Sequence, residues 1–183
     1  MSEPRSIYTY GANDGLKMGI YLSVMFLLQC IGTGNLLLMS LGTLMMLCIP
    51  MAAYILLRKA YRDSGGHSTF SAIWLHGILM FLLGSLILAL VIYIYLRFVN
   101  PRFLSDTLST LIDAYSEIDS PQTSQLTDML TTIKQQNLLP SPIQYAFSMI
   151  WTCGFFGSIL SMLLALIVRA IPIRNKHNLS NND

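Results

Sequence analysis

Apolar positions in this chain gather into long runs, and the polar ones fall into short clusters between them. A helix needs roughly 20 apolar residues to cross the hydrocarbon core of a bilayer. Residues 16–32, 36–57, 70–98 and 144–172 have that character, so the pattern predicts four transmembrane helices. The first run is the shortest, with Lys17 in its opening turn. A lysine at a helix end can extend its stem and hold its ammonium among the headgroups. A cleavable leader is the rival reading of this run, but Glu3 and Asp14 do not suit a basic leader and no small-residue cleavage site follows.

Between the third and fourth runs, residues 100–140 carry a different pattern. Phe103, Leu104, Leu108, Leu111, Ile112 and Tyr115 recur at helical spacing, with Asp106, Asp113 and Glu117 tending to the other side. Ser120 and Pro121 then offer an N-cap followed by a first helical residue, and Leu126, Met129, Leu130 and Ile133 form a second stripe. Two short amphipathic helices are expected here, and Ser141 with Pro142 repeats the start signal for the fourth span. The predicted architecture is all-α: a single membrane domain over residues 1–183, with four spans and a helical extracytoplasmic loop.

Composition agrees with a bilayer as solvent. Apolar residues make up 54% of the 183 and charged residues 11%, with a mean hydropathy of +0.57, above what a soluble domain usually carries. The net charge of +2 gives no footprint for nucleic acid. Orientation follows from lysine and arginine near the spans. Arg5, Lys17, Arg58, Lys59, Arg62, Arg169, Arg174 and Lys176 fall on one side of a four-span chain, and Arg97, Arg102 and Lys134 on the other, so eight positive residues face three. The richer side is expected to be cytoplasmic, with both termini there.

Candidate chemistry is sparse. No Gly-rich phosphate loop, metalloprotease helix, paired cysteines or nucleophile elbow occurs, so no catalytic residue, cofactor or metal is expected. Cys30, Cys48 and Cys153 stand singly in apolar runs and suit packing. With spans beginning at residue 16, no Asp or Glu falls inside one, and His76 is the ionisable side chain within the membrane. A histidine there either bonds a neighbouring helix or handles a proton. Gly11, Gly15 and Gly19 recur every four residues, and Gly77 with Gly84 and Gly154 with Ser158 give similar smooth faces for close helix packing. Pro50 inside the second run removes a backbone hydrogen bond and predicts a kink. Gly65 and Gly66 follow Ser64 with no preceding strand and suit a turn.

The connection Arg58-Lys59-Ala60-Tyr61-Arg62-Asp63, then Gly65-Gly66 and Ser68-Thr69-Phe70, carries a resemblance together with Tyr93-x-Tyr95, Asn100-Pro101-Arg102-Phe103 and the early Gly15 and Gly19. The chain resembles a family of small bacterial inner-membrane proteins known only as a domain of unknown function. The resemblance implies four spans and an extracytoplasmic segment between the last two, over nearly the whole chain. It brings no activity, and the histidine between Trp74 and Gly77 departs from its pattern. Arg58, Tyr61, Arg62, Phe70, Pro101 and Phe103 are candidate docking or interface residues, and His76 is the intramembrane candidate. The expected role is a non-enzymatic accessory or scaffolding subunit in bacterial envelope biogenesis, touching lipid and a membrane-protein partner or a second copy. A small oligomeric carrier or channel with His76 in its pathway is the alternative.

Overall fold

A computed structural model describes residues 7–64, 68–118, 121–136 and 138–171. Gly65, Gly66, Ser120, Arg5, Arg174 and Lys176, which the sequence reading used, lie outside them. Among the described residues the secondary structure is entirely helical. Among these residues three helices are long and apolar enough to span a membrane, and a bent helix pair makes a fourth if counted as one span. Contacts within the chain divide it into two compact units, Met1–Leu88 with Ile150–Asp183, and Ala89–Met149.

The first unit contains α1 (Ile7–Ile31), α2 (Leu36–Leu47), α3 (Ile49–Asp63), most of α4 (Phe70–Ile94) and most of α7 (Pro142–Ala170). A 3-10 turn at Gly32–Gly34 and the Asn35 side chain, which accepts from Leu37 N–H at 3.0 Å, reverse the chain between α1 and α2. The reversal is tight because a Cβ on Gly32 would lie 2.7 Å from the Met39 nitrogen, and one on Gly42 2.8 Å from Gln29 Cγ.

Pro50 has the effect its chemistry predicts. It stands in the first turn of α3, and α2 and α3 are bent by 43° across Cys48. A proline cannot donate to the turn before it, so the helix restarts. The Tyr21 hydroxyl of α1 donates to the Met45 carbonyl at 2.6 Å beside this break, tying α1 to the backbone at the bend. Tyr21→Phe is expected to lower stability by about 1 kcal/mol, read from denaturation in detergent.

Glycine sets the close contacts. On α1 and α4 the pairs Gly11 with Leu79, Gly15 with Leu83 and Gly19 with Ile87 advance together, so the two helices run parallel. A Cβ on Gly15 would meet Leu83 Cβ at 2.8 Å, and one on Gly19 would meet Ile87 Cβ at 2.9 Å and the Gly84 carbonyl at 3.0 Å. Helices α4 and α7 run antiparallel: Gly77 meets Ser161, Phe81 meets Gly157, and Leu82 meets Gly154. The Phe81 ring occupies the notch left by Gly157, where a Cβ would overlap it. Met18, Leu57, Met80, Phe81, Ala165 and Val168 are among the buried side chains of this unit.

Ser161 is fully buried against Gly77, and among the described residues its hydroxyl has no hydrogen-bond partner. A buried unsatisfied hydroxyl is a cost without return. Ser161→Ala is therefore expected to leave the protein unchanged or to stabilise it by about 1 kcal/mol, by the same denaturation measurement.

In the second unit the last turn of the third apolar run widens into a π-helical segment, Tyr95–Val99, closed by Asn100 N–H on the Tyr95 carbonyl at 2.9 Å. Asn100 and Pro101 then turn the chain into α5 (Phe103–Ser116), and the Tyr95 and Phe103 rings meet edge to face at 5.8 Å. Helix α5 packs on α6 (Pro121–Gln135). On α5, Leu108 is buried and Phe103, Leu104, Ile112 and Tyr115 are half-buried, but Leu111 is exposed. On α6, Thr123, Thr127, Leu130 and Ile133 turn inward while Leu126 and Met129 are exposed. The α6 stripe read from the sequence is thus rotated: Thr123 and Thr127 take half-buried positions beside Leu130 and Ile133, and Leu126 and Met129 are left outside. Ser141 and Gln144 open α7 as a reciprocal cap: Ser141 N–H donates to Gln144 Oε1 at 2.9 Å and Gln144 N–H to Ser141 Oγ at 3.4 Å.

Candidate functional site

The one cluster of ionised and ionisable groups inside the helical packing of the first unit, among the described residues, joins α1 to α4. Asp14 is buried in α1, and its two oxygens are divided between two donors. Lys17 Nζ lies 2.9 Å from Oδ1, one turn along the same helix, and His76 Nε2 lies 3.2 Å from Oδ2, across the helix contact. The Asp14 and His76 side chains are 6% and 5% exposed, whereas Lys17 is 43% exposed. Lysine thus reaches outward from the pair, as a long stem at a membrane boundary does.

This arrangement corrects the expectation that no carboxylate lies inside a span. Helix α1 begins by Ile7, and its spanning stretch runs Gly11–Ile31, which includes Asp14 and Lys17. The earlier start is physically reasonable because the two opposite charges, one turn apart, pair with each other. In the sequence Asp14 stands before the purely apolar run and reads as a flanking charge. The signal that could have revealed it is the spacing: Gly11, Asp14, Gly15, Met18 and Gly19 share one helix face, and a carboxylate on a glycine-lined packing face needs a partner on the facing helix.

The other candidates sit apart from this cluster. Gly15 and Gly19 meet α4, Gly84 is the α4 side of that contact, Gly77 of α4 faces Ser161 of α7, and Gly154 of α7 faces Leu82 of α4. Gly154, one of the expected packing glycines, meets only the tip of Leu82 at 3.0 Å, whereas Gly157, which nothing in the sequence singles out, has a much tighter contact with Phe81. Arg58 caps the Tyr54 hydroxyl and lies 5.7 Å from that ring's centroid, so its cation is already engaged on its own helix. Arg62 is exposed and Tyr61 half-buried on α3. Phe70 stacks on Trp74, whose indole N–H donates to the Ser158 carbonyl of α7 at 3.2 Å. Pro101 is exposed, and Phe103 is packed on Tyr95. Among the described residues no group of three metal-ligating side chains comes together.

Apolar helices joined through glycine notches, a broken span and a buried ion cluster define this as a helical membrane protein. Residues 13–170 match the family described as "Protein of unknown function (DUF4199)", and the chain belongs to that family. No curated protein and no solved structure matches the chain.

Proposed function

We propose that this chain is a non-enzymatic, four-span protein of the bacterial inner membrane that works as a subunit against another membrane protein, in envelope biogenesis. The observation that carries the reading is α7. Only 22% of its most apolar window is buried, and Trp151, Phe155, Ile159, Met162 and Leu166 form one continuous exposed stripe beside the packed face of Gly157, Ser161 and Ala165. A helix apolar on all sides belongs in lipid or against more protein, and a stripe rich in aromatic residues suits a partner helix. In this topology the termini and the α3–α4 connection face the cytoplasm, and α5 and α6 face the other side.

The test is affinity purification from native membranes in mild detergent, through a tag on the C-terminus, with Phe155→Ala and Ile159→Ala variants alongside. A stoichiometric membrane partner lost on substituting the stripe supports the reading. Isolation of the chain alone, with or without the stripe, overturns it. Fusion reporters at either end, active only in the periplasm, are expected to stay silent.

A second reading, a small oligomeric carrier or channel with His76 in its pathway, draws support from Asp14 beside that histidine, since ionised groups at membrane depth are costly without a task. It requires solute flux in proteoliposomes that His76→Ala removes.

A further inference from the structure

The Asp14, Lys17 and His76 cluster has a charge arithmetic that points beyond packing. An ionised carboxylate only accepts hydrogen bonds. His76 Nε2 must therefore carry a hydrogen and donate it to Asp14 Oδ2, whether the ring is neutral or cationic. A proton that comes and goes at this ring does so on Nδ1.

The surroundings of Nδ1 are unusual for so tight a contact. A Cβ built on Gly11 would lie 3.9 Å from His76 Nδ1 and 3.5 Å from Leu79 Cβ, which is ordinary contact distance. Gly15 and Gly19, on the same face, would bring a Cβ within 2.9 Å of α4 side chains. Helix packing thus demands glycine at 15 and 19 but not at 11. Gly11 places no side chain against Nδ1 on this face of α1.

Lys17 completes the arithmetic. With Lys17 and Asp14 both ionised and the ring neutral, the cluster carries no net charge, and a proton from water bound at Nδ1 raises it to +1 while Asp14 keeps a cation on each oxygen. A buried Asp and His alone would alternate between −1 and 0. The half-exposed lysine moves that cycle to 0 and +1, with its own charge partly in water. The other helices at this level of α4 bring Leu57 of α3 and Ser161 of α7 against Gly77, both uncharged. Among the described residues no further acidic or basic side chain pairs with any of the three.

We propose that His76, held by Asp14 and faced by Gly11, is a reversible proton-binding site filled at Nδ1. It stands whether the protein serves a partner or carries a solute, so it neither needs nor decides either reading.

The experiment is nitrogen-15 NMR of histidine side chains in the full-length protein in lipid nanodiscs, across the range in which imidazoles titrate, about pH 5 to 8, with His76→Gln used to assign the signal. At high pH the His76 ring is expected as the Nε2–H form by at least about tenfold over the other tautomer, the ratio that one charge-assisted hydrogen bond supports. On acidification Nδ1 gains a proton reversibly while Nε2 keeps its own. Asp14→Ala is expected to lose most of that tautomer preference. A neutral Nδ1–H form in the native protein, or a His76 signal unchanged across the titration, overturns the proposal. Both are read on the native chain, so they stand even if Asp14→Ala fails to fold.

Discussion

Gly157→Val is expected to abolish the folded protein, and Gly157→Ala to lower its stability by about 2 kcal/mol, as measured by denaturant titration in detergent micelles. The Phe81 ring lies where the new Cβ must go, and inserting atoms into a closed packing site costs about 1–3 kcal/mol when the neighbour can give way. The sign is informative. Glycine to alanine in a helix with free surroundings gains about 1 kcal/mol from propensity, so a net loss means that the collision costs more than that gain and exceeds the measured loss by it. Phe81→Leu combined with Gly157→Ala is expected to recover part of the loss, giving a favourable coupling between the two sites. If the single alanine variant is as stable as the parent, α4 and α7 do not meet at this notch.

The second large effect concerns Asp14 and His76. His76→Leu leaves a buried carboxylate with Lys17 as its one ion partner, and one-sided removal from a buried pair typically costs about 3 kcal/mol or more. Asp14→Leu is expected to cost less, because a neutral imidazole survives burial better than a carboxylate. The double variant should lie closer to the parent than His76→Leu does, since removing both members leaves no orphan and Lys17 is already half in solvent. These effects are expected to persist in high salt, which screens exposed pairs far more than buried ones. Simple additivity of the two single substitutions would show that the pair is not formed.

Much of this fold is written in hydropathy and in residues whose backbone chemistry is local. Run lengths mark the apolar helices, Pro50 marks the break, and Ser141 with Pro142 marks the start of α7, each through the residue's own properties. What the sequence hides are facing relations. Gly154 and Gly157 are equivalent as letters, and only the arrival of Phe81 from another helix makes one of them indispensable. Asp14 reads as a flanking charge until α1 is seen to begin at Ile7, and His76 reads as solitary until the parallel register of α1 and α4 brings them together. The α6 stripe misled for the same reason: periodicity gives the face of a helix, but the hairpin chose a face rich in threonine.

The parallel pairing of α1 with α4 also bears on how the chain is made. Asp14 meets a histidine 62 residues further along, which at about 5–20 residues per second means several seconds of synthesis after Asp14 has left the ribosome. Throughout that interval the first helix must enter or wait at the bilayer with its carboxylate lacking its final neighbour. Lys17, three residues away on the same helix, is present from the outset. It can chaperone the carboxylate from birth, and α4 then inherits a partly neutralised group rather than a bare one.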